Sequence, residues 1–170
     1  MLQCRLQRNE NKKIDFTKKY YTSAVKFAQA KGSNVAITKE GLKGKVIGVQ
    51  GSTVTENFVK GMFGDVAEIK AYGAQDEANL DFVSGRVDLI AADSFVLFDF
   101  LATKDGEFAE ATGPDFDDPK YLGEGIGIGI RKGDEALKER LNSAIKAIRA
   151  NGTYQKINEK YFAFDVYGAE

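Results

Sequence analysis

Hydrophobic and polar positions along this chain fall into blocks that read as strands and helices in turn. From Ser23 to Ala30 apolar and polar residues alternate (SAVKFAQA), the period of a half-buried strand. A turn at Lys31-Gly32-Ser33-Asn34 follows. Gly41 and Gly44 then bracket a connection to Lys45-Val46-Ile47-Gly48-Val49, a compact apolar run suited to a buried strand. Val54, Phe58 and Met62 recur four apart, one face of a helix over Thr53 to Met62 that Gly61 and Gly64 punctuate. Val66 to Lys70 reads as a strand, and Asp76 to Ser84 as a helix with Leu80 and Val83 turned inward. Val87 to Ala92 is a third strand of this series, and Ser94 to Ala102 a strongly apolar helix. The alternation predicts an α/β lobe with a mostly parallel sheet flanked by helices and joined by right-handed crossovers.

The flanks follow other patterns. Met1 to Lys13 is polar and without period, and is predicted to be a poorly ordered tail. Its Arg5, Arg8, Lys12 and Lys13 read as a solvated terminus rather than a nucleic-acid arm. Thr103 to Tyr121 holds both prolines, Pro114 and Pro119, with many acids, and is predicted to be a surface loop. Gly125 to Arg131 alternates Gly and Ile as a strand does. No strand precedes these glycines and no helix opens among them, which excludes a dinucleotide fingerprint. Two helices close the chain. Leu137, Leu141, Ile145 and Ile148 line the first, with Asp134 as N-cap and Gly152 past its end; Tyr154, Ile157 and Tyr161 line the second.

Composition then narrows the chemistry. The 24 basic and 25 acidic side chains leave a net charge of -1, too little positive excess for a general nucleic-acid binder. There is no histidine, which removes the commonest general base, the commonest zinc ligand and every Ser-His or Cys-His pair. Cys4 is the only cysteine, so neither an internal disulfide nor a thiolate cluster is expected, and no cofactor. No apolar run approaches the ~20 residues that cross a bilayer, and the N-terminal residues lack the apolar stretch of an export signal. The chain is expected to be soluble, either cytosolic or a fragment whose export signal lies elsewhere.

Two strand-to-helix junctions stand out, because ligands of open parallel sheets bind beyond the strand C-termini. The first runs Val49-Gln50-Gly51-Ser52-Thr53-Val54-Thr55-Glu56. Gly51 permits close backbone approach, Thr53 with Glu56 has capping-box spacing, and a helix N-terminus suits a carboxylate or phosphate. Taken alone, this junction is read first as ordinary capping by Ser52 and Thr53, because caps of this kind are common. The second runs Ala91-Ala92-Asp93-Ser94, where a carboxylate just past a strand suits an ammonium group. A plain cap by Asp93 or Ser94 is the competing reading there. Together the junctions offer donors for an anion and an acceptor for a cation, the demand made by an amino-acid zwitterion.

Longer segments carry a family resemblance. These are Lys12 to Tyr21 (KKIDFTKKYY), Leu42 to Thr53 (LKGKVIGVQGST), Ser84 to Ser94 (SGRVDLIAADS), Gly125 to Phe162 and Phe164 to Gly168 (FDVYG). In these segments the chain resembles the periplasmic substrate-binding proteins of polar amino-acid ABC transporters, especially the lysine/arginine/ornithine/histidine and opine-binding group. The resemblance implies a type II periplasmic-binding-protein fold, two α/β lobes joined by two crossing strands. It implies a remnant of the first lobe and a tail over residues 1–22, a second lobe over 23–125, and a hinge return with first-lobe helices over 126–170. It also implies that Thr53 binds a ligand α-carboxylate, that Asp93 binds its α-amino group, and that Val49, Ser52 and Val54 lie against the ligand.

Departures from the family shape further expectations. Most of the first lobe would precede Met1, and Glu10 falls where the family places a carboxylate-binding arginine, so binding is expected to be impaired. Helices that pack on the first lobe would lack a host, which predicts a homo-oligomer or domain-swapped dimer. The resemblance implies a periplasmic protein that delivers an amino acid (arginine, lysine, ornithine, histidine or an opine) to a membrane permease. A dehydratase-like enzyme on the same fold and a folded remnant without ligand are the alternatives.

Overall fold

The computed structural model describes residues 3–5, 14–162 and 165–168; Arg8, Glu10, Lys12 and Lys13 of the predicted tail lie outside them. The chain divides into two compact units, one formed by residues 1–23 with 122–170 and the other by 24–121.

The 24–121 unit holds the alternating block. Its elements are β3 (Val25–Ala30), β4 (Val46–Gln50), α1 (Val54–Phe63), β5 (Glu68–Tyr72), α2 (Gln75–Val83), β6 (Leu89–Asp93), α3 (Ser94–Leu101) and β7 (Ala109–Phe116). The five strands lie in the order β5-β4-β6-β3-β7. β4 pairs in parallel with β5 and β6, whereas β3 runs antiparallel to β6 and β7. The sheet is therefore mixed rather than mostly parallel. The strand-helix units supply the parallel part; β3, which no crossover helix precedes, enters in the opposite sense.

Successive residues on β3 point to opposite faces and so sort the core into two layers. Ala28 joins Ala78 and Phe82 of α2 and Leu97 and Phe100 of α3 on one face. Phe27 meets Phe63 of α1 at 5.9 Å between ring centroids and Phe116 of β7 at 5.7 Å on the other. Each layer buries aromatic rings against the sheet, the dominant favourable term for a unit of this size.

Several predicted features change in the structure. The stretch expected to be a loop contains a 3-10 turn at Lys104–Gly106, strand β7 and the short helix α4 (Pro119–Leu122). β7 is an edge strand and accommodates its proline in a bulge, where a missing N–H costs no ladder bond. The ladder steps from Phe27↔Thr112 to Val25↔Phe116, leaving Gly113, Pro114 and Asp115 opposite Lys26. Lys26 spans the bulge, its Nζ donating to the Gly113 carbonyl at 2.7 Å and pairing with Asp115 at 2.9 Å. Gly113 sits at φ +70, and a Cβ there would lie 2.6 Å from Ile37 Cγ1, so both backbone and space require glycine.

α2 is turned the other way from its prediction. Leu80 and Val83 are 59% and 42% exposed, while Gln75, Ala78, Asn79 and Phe82 are buried. The two buried amides satisfy each other, Gln75 Nε2 donating to Asn79 Oδ1 at 3.1 Å. In α1 the buried stripe is Thr55, Phe58, Val59 and Phe63, with Val54 and Met62 only half-buried at its margin.

The other unit is built on a three-stranded antiparallel sheet in the order β1-β8-β2, with β1 (Gln3–Arg5) and β2 (Ile14–Phe16) both pairing with β8 (Ile126–Arg131). Part of the expected tail is thus a strand, because the unpaired edge of β8 offers its backbone a ladder. Thr17 closes the β2–β8 pairing: its N–H donates to Ile128 O at 3.1 Å, and its hydroxyl oxygen accepts from Ile128 N at 3.0 Å. Helices α5 (Glu135–Ala150) and α6 (Thr153–Tyr161) follow. Asp134 caps α5 by accepting from Leu137 N at 3.1 Å. Within α6 it is Asn158 that is buried, its Oδ1 accepting from Val166 N at 3.0 Å; Ile157 and Tyr161, expected to face inward, are exposed.

Candidate functional site

Both junctions singled out in the sequence lie in the 24–121 unit, on one edge of its sheet. β4 and β6 are hydrogen-bonded parallel neighbours in the register Ile47↔Leu89 and Gly48↔Ile90. Carried three residues on, the same register sets Gly51 beside Asp93. The two helix starts, Thr53 before α1 and Asp93 before α3, therefore follow strands about 5 Å apart.

Thr53 is the N-cap of α1, in extended backbone, and its Oγ1 accepts from Glu56 N at 3.2 Å. The same hydroxyl donates to the Gln50 carbonyl at 2.8 Å. Half of the predicted capping box is present. The return bond from Glu56 goes one residue earlier, Ser52 N donating to Glu56 Oε2 at 2.7 Å. That shift accompanies a left-handed Ser52 at φ 60, which turns its N–H toward the helix. Glu56 also pairs with Lys60 at 2.6 Å. The Lys60 hydrogen bond, and then the Ser52 N–H, hold the Glu56 carboxyl below its ordinary value of 4.5. Gly51 does permit a close approach, but to its own sheet: a Cβ there would stand 3.2 Å from the Tyr72 carbonyl, which accepts from Gly51 N at 2.8 Å.

Asp93 ends β6 and caps α3, its Oδ1 accepting from Phe95 N at 3.1 Å. The plain-cap reading of this residue is thus part of the structure, and so is a half-buried carboxylate at the rim. Ser94 is buried, its N–H donating to the Ala24 carbonyl at 2.9 Å. Among the predicted contacts, Ser52 is exposed and Thr53 and Val54 are half-buried at the same edge. Val49 lies one strand position below them. It is 0% exposed and belongs to the core beneath the edge.

Chemically, the edge presents a threonine hydroxyl and the first N–H groups of α1 on one side, with an aspartate on the other. The helix start favours an anion through its orphan donors and its dipole, and the carboxylate favours a cation. No group of three or more His, Cys, Asp or Glu suited to a metal ion occurs among the described residues. The double role of Glu56 escaped the sequence reading; the four-residue spacing from Ser52 to Glu56 is the signal that carries it.

The pattern of the bacterial extracellular solute-binding proteins, family 3, matches residues 5–164. The chain belongs to that family. It is 45% identical over 158 residues to the L-arginine-binding protein of Pseudomonas aeruginosa, covering 92% of this chain and 61% of that protein. It is 40% identical over 157 residues to the histidine-binding periplasmic protein of Escherichia coli K12, covering 91% and 60%. The chain thus spans about 60% of the length of these curated relatives. Among solved structures, an ancestral arginine-binding protein bound to arginine matches with a TM-score of 0.78 and 31% identity, over 94% of this chain and 69% of that one. An ancestral amino acid-binding protein, a precursor of cyclohexadienyl dehydratase, matches with a TM-score of 0.74 and 26% identity, over 93% of this chain and 65% of that one. The fold is that of the type II periplasmic binding proteins.

Proposed function

We propose that this family member binds a polar or cationic amino acid (arginine, lysine, ornithine, histidine or an opine) for delivery to an ABC-transporter permease in the periplasm. The observation that carries the reading is the pairing of opposite-sign helix caps, Thr53 and Asp93, on neighbouring parallel strands. In this reading the Thr53 hydroxyl and the first N–H groups of α1 take the α-carboxylate. To do so the hydroxyl hydrogen turns from the Gln50 carbonyl, where it now lies at 2.8 Å, toward the ligand. Asp93 takes the α-amino group, and Ser52 and Val54 lie alongside. The names of the relatives as binding proteins support a binder rather than a catalyst.

Calorimetric titration with L-arginine tests the reading. Saturable binding that falls at least about tenfold in Asp93→Ala and in Thr53→Val is the expected result, each variant removing a charge-assisted hydrogen bond worth about 1.5 kcal/mol or more. Unchanged affinity in both variants would overturn the assignment.

A further inference from the structure

The joint between α5 and α6 carries the one Asn-Gly pair of the chain, Asn151-Gly152. Asn151 is exposed and closes α5, its N–H donating to the Ala147 carbonyl at 3.0 Å. Its side chain folds forward along the backbone. Oδ1 accepts from Thr153 N at 3.0 Å, which holds the carboxamide within one residue of the Gly152 nitrogen and polarises its carbonyl. Gly152 N donates to the Arg149 carbonyl at 3.3 Å, longer than an ordinary N–H···O bond, and helix ends of this kind fray. Gly152 stands at φ +76, and a Cβ built on it would meet nothing within 4 Å, so the approach to this nitrogen is open. The other asparagines among the described residues lack this combination. Asn79 and Asn158 are buried, and Asn57 and Asn142 lie inside α1 and α5, where the next N–H belongs to the helix. Asn34 is exposed, but the N–H that follows it, on the β-branched Val35, is held by Gln29 Oε1 at 2.9 Å.

We propose that Asn151-Gly152 is a site of spontaneous covalent modification in the folded chain, where asparagine is converted to aspartyl and isoaspartyl residues with water as the co-reactant. The Gly152 nitrogen gives its proton to solvent and bonds to Asn151 Cγ. The Cγ–NH2 bond breaks, ammonia leaves, and a succinimide ring remains. Water then adds to one of the two ring carbonyls. If the ring opens at Cγ, aspartate stands at 151; if it opens at the main-chain carbonyl carbon, the chain runs through the side chain as isoaspartate. One water is consumed and one ammonia released, and nothing is oxidised or reduced. Either product adds a negative charge at the end of α5, where the helix dipole opposes it, and before α6, where the dipole favours it. The isoaspartyl product also inserts a methylene into the main chain beside α6. That helix is anchored by Tyr154 Oη donating to the Tyr20 carbonyl at 2.6 Å and by Asn158 Oδ1 accepting from Val166 N at 3.0 Å. The site is independent of the amino-acid reading, since it shares no residue with the caps of the 24–121 unit.

The test is ageing of the full chain in mildly alkaline 18O-labelled water, with a parallel sample in urea, followed by peptide mapping and mass spectrometry. In the folded chain the peptide spanning Asn151 should take up the label faster than any other asparagine peptide, with isoaspartate among its products. A more acidic species should accumulate on ion exchange. Asn151→Gln, which keeps a carboxamide at this exposed position but must close a larger and slower-forming ring, should suppress that species. Conversion at Asn151 in urea but not in the folded chain would overturn the proposal, because the joint would then protect the pair. Faster conversion at Asn34, or an acidic species undiminished in Asn151→Gln, would also overturn it. The separated isoaspartyl form should melt at a lower temperature than the Asn151→Asp variant; equal melting temperatures would overturn the part given to the inserted methylene.

Discussion

Glu56 shows how one side chain can serve a helix start in two directions. Its backbone N–H is capped by Thr53, while its carboxylate takes the Ser52 N–H and the Lys60 ammonium. The folded protein therefore holds this carboxyl below its ordinary 4.5. A depressed carboxylate stabilises fully above its unfolded value, and that contribution drains away as pH falls through the lower folded value. Glu56→Gln should cost about 0.5 kcal/mol at neutral pH, the scale of an exposed ion pair, and should flatten the stability curve below pH 4.5. Thermal melts across that range check it; an acid limb identical to the parent chain would refute the assigned pairing. The same variant removes a negative charge beside the donors of α1, so L-arginine binding should strengthen rather than weaken.

At the scale of elements, α2 separates what periodicity reveals from what packing decides. Its segment QDEANLDFV offers only Ala78, Leu80, Phe82 and Val83 as apolar residues, too few to define a stripe. A rule that turns Leu and Val inward fails here, because Phe82 anchors the helix against Phe100 at 6.4 Å and Phe108 at 5.1 Å. That anchor carries Gln75 and Asn79 inward with it, which pair with each other. Leu80→Asp should consequently change stability by no more than about 0.5 kcal/mol, whereas Phe82→Ala should cost about 3 kcal/mol. Urea denaturation of the two variants decides it, and the reverse order would contradict the observed facing. β7 offers a second lesson. Two prolines and a run of acids point to a loop, yet an edge strand tolerates Pro114 by bulging at Gly113 and Lys26 secures the bulge. Gly113→Ala should cost about 1–3 kcal/mol in the same assay through its left-handed backbone and the contact with Ile37. Strands β4 and β6 and the starts of α1 and α3, by contrast, were legible because apolar runs end at polar capping residues.

For the whole molecule, ordered segments spread along the chain reveal the family, while single motifs reveal only junctions. The caps could be picked out from Gln50 to Glu56 and from Ala91 to Ser94, but their adjacency depends on the strand order β4-β6, which no local pattern encodes. The burial of Val49 likewise arises only when distant segments meet. Exposed apolar side chains in the α5–α6 region, Leu137 at 38%, Ile157 at 55% and Tyr161 at 66%, are of the kind on which the expectation of a homo-oligomer or domain-swapped dimer rests. Light scattering should report a dimer or larger; a monomer across the accessible concentration range would contradict it.

The most direct test of the account is an amide-shift titration of the chain with L-arginine. Two helix starts that form one receptor should respond together, residues 52–55 and 93–95 following a single saturation curve. A response confined to one of the two segments, or absent from both, would contradict the account.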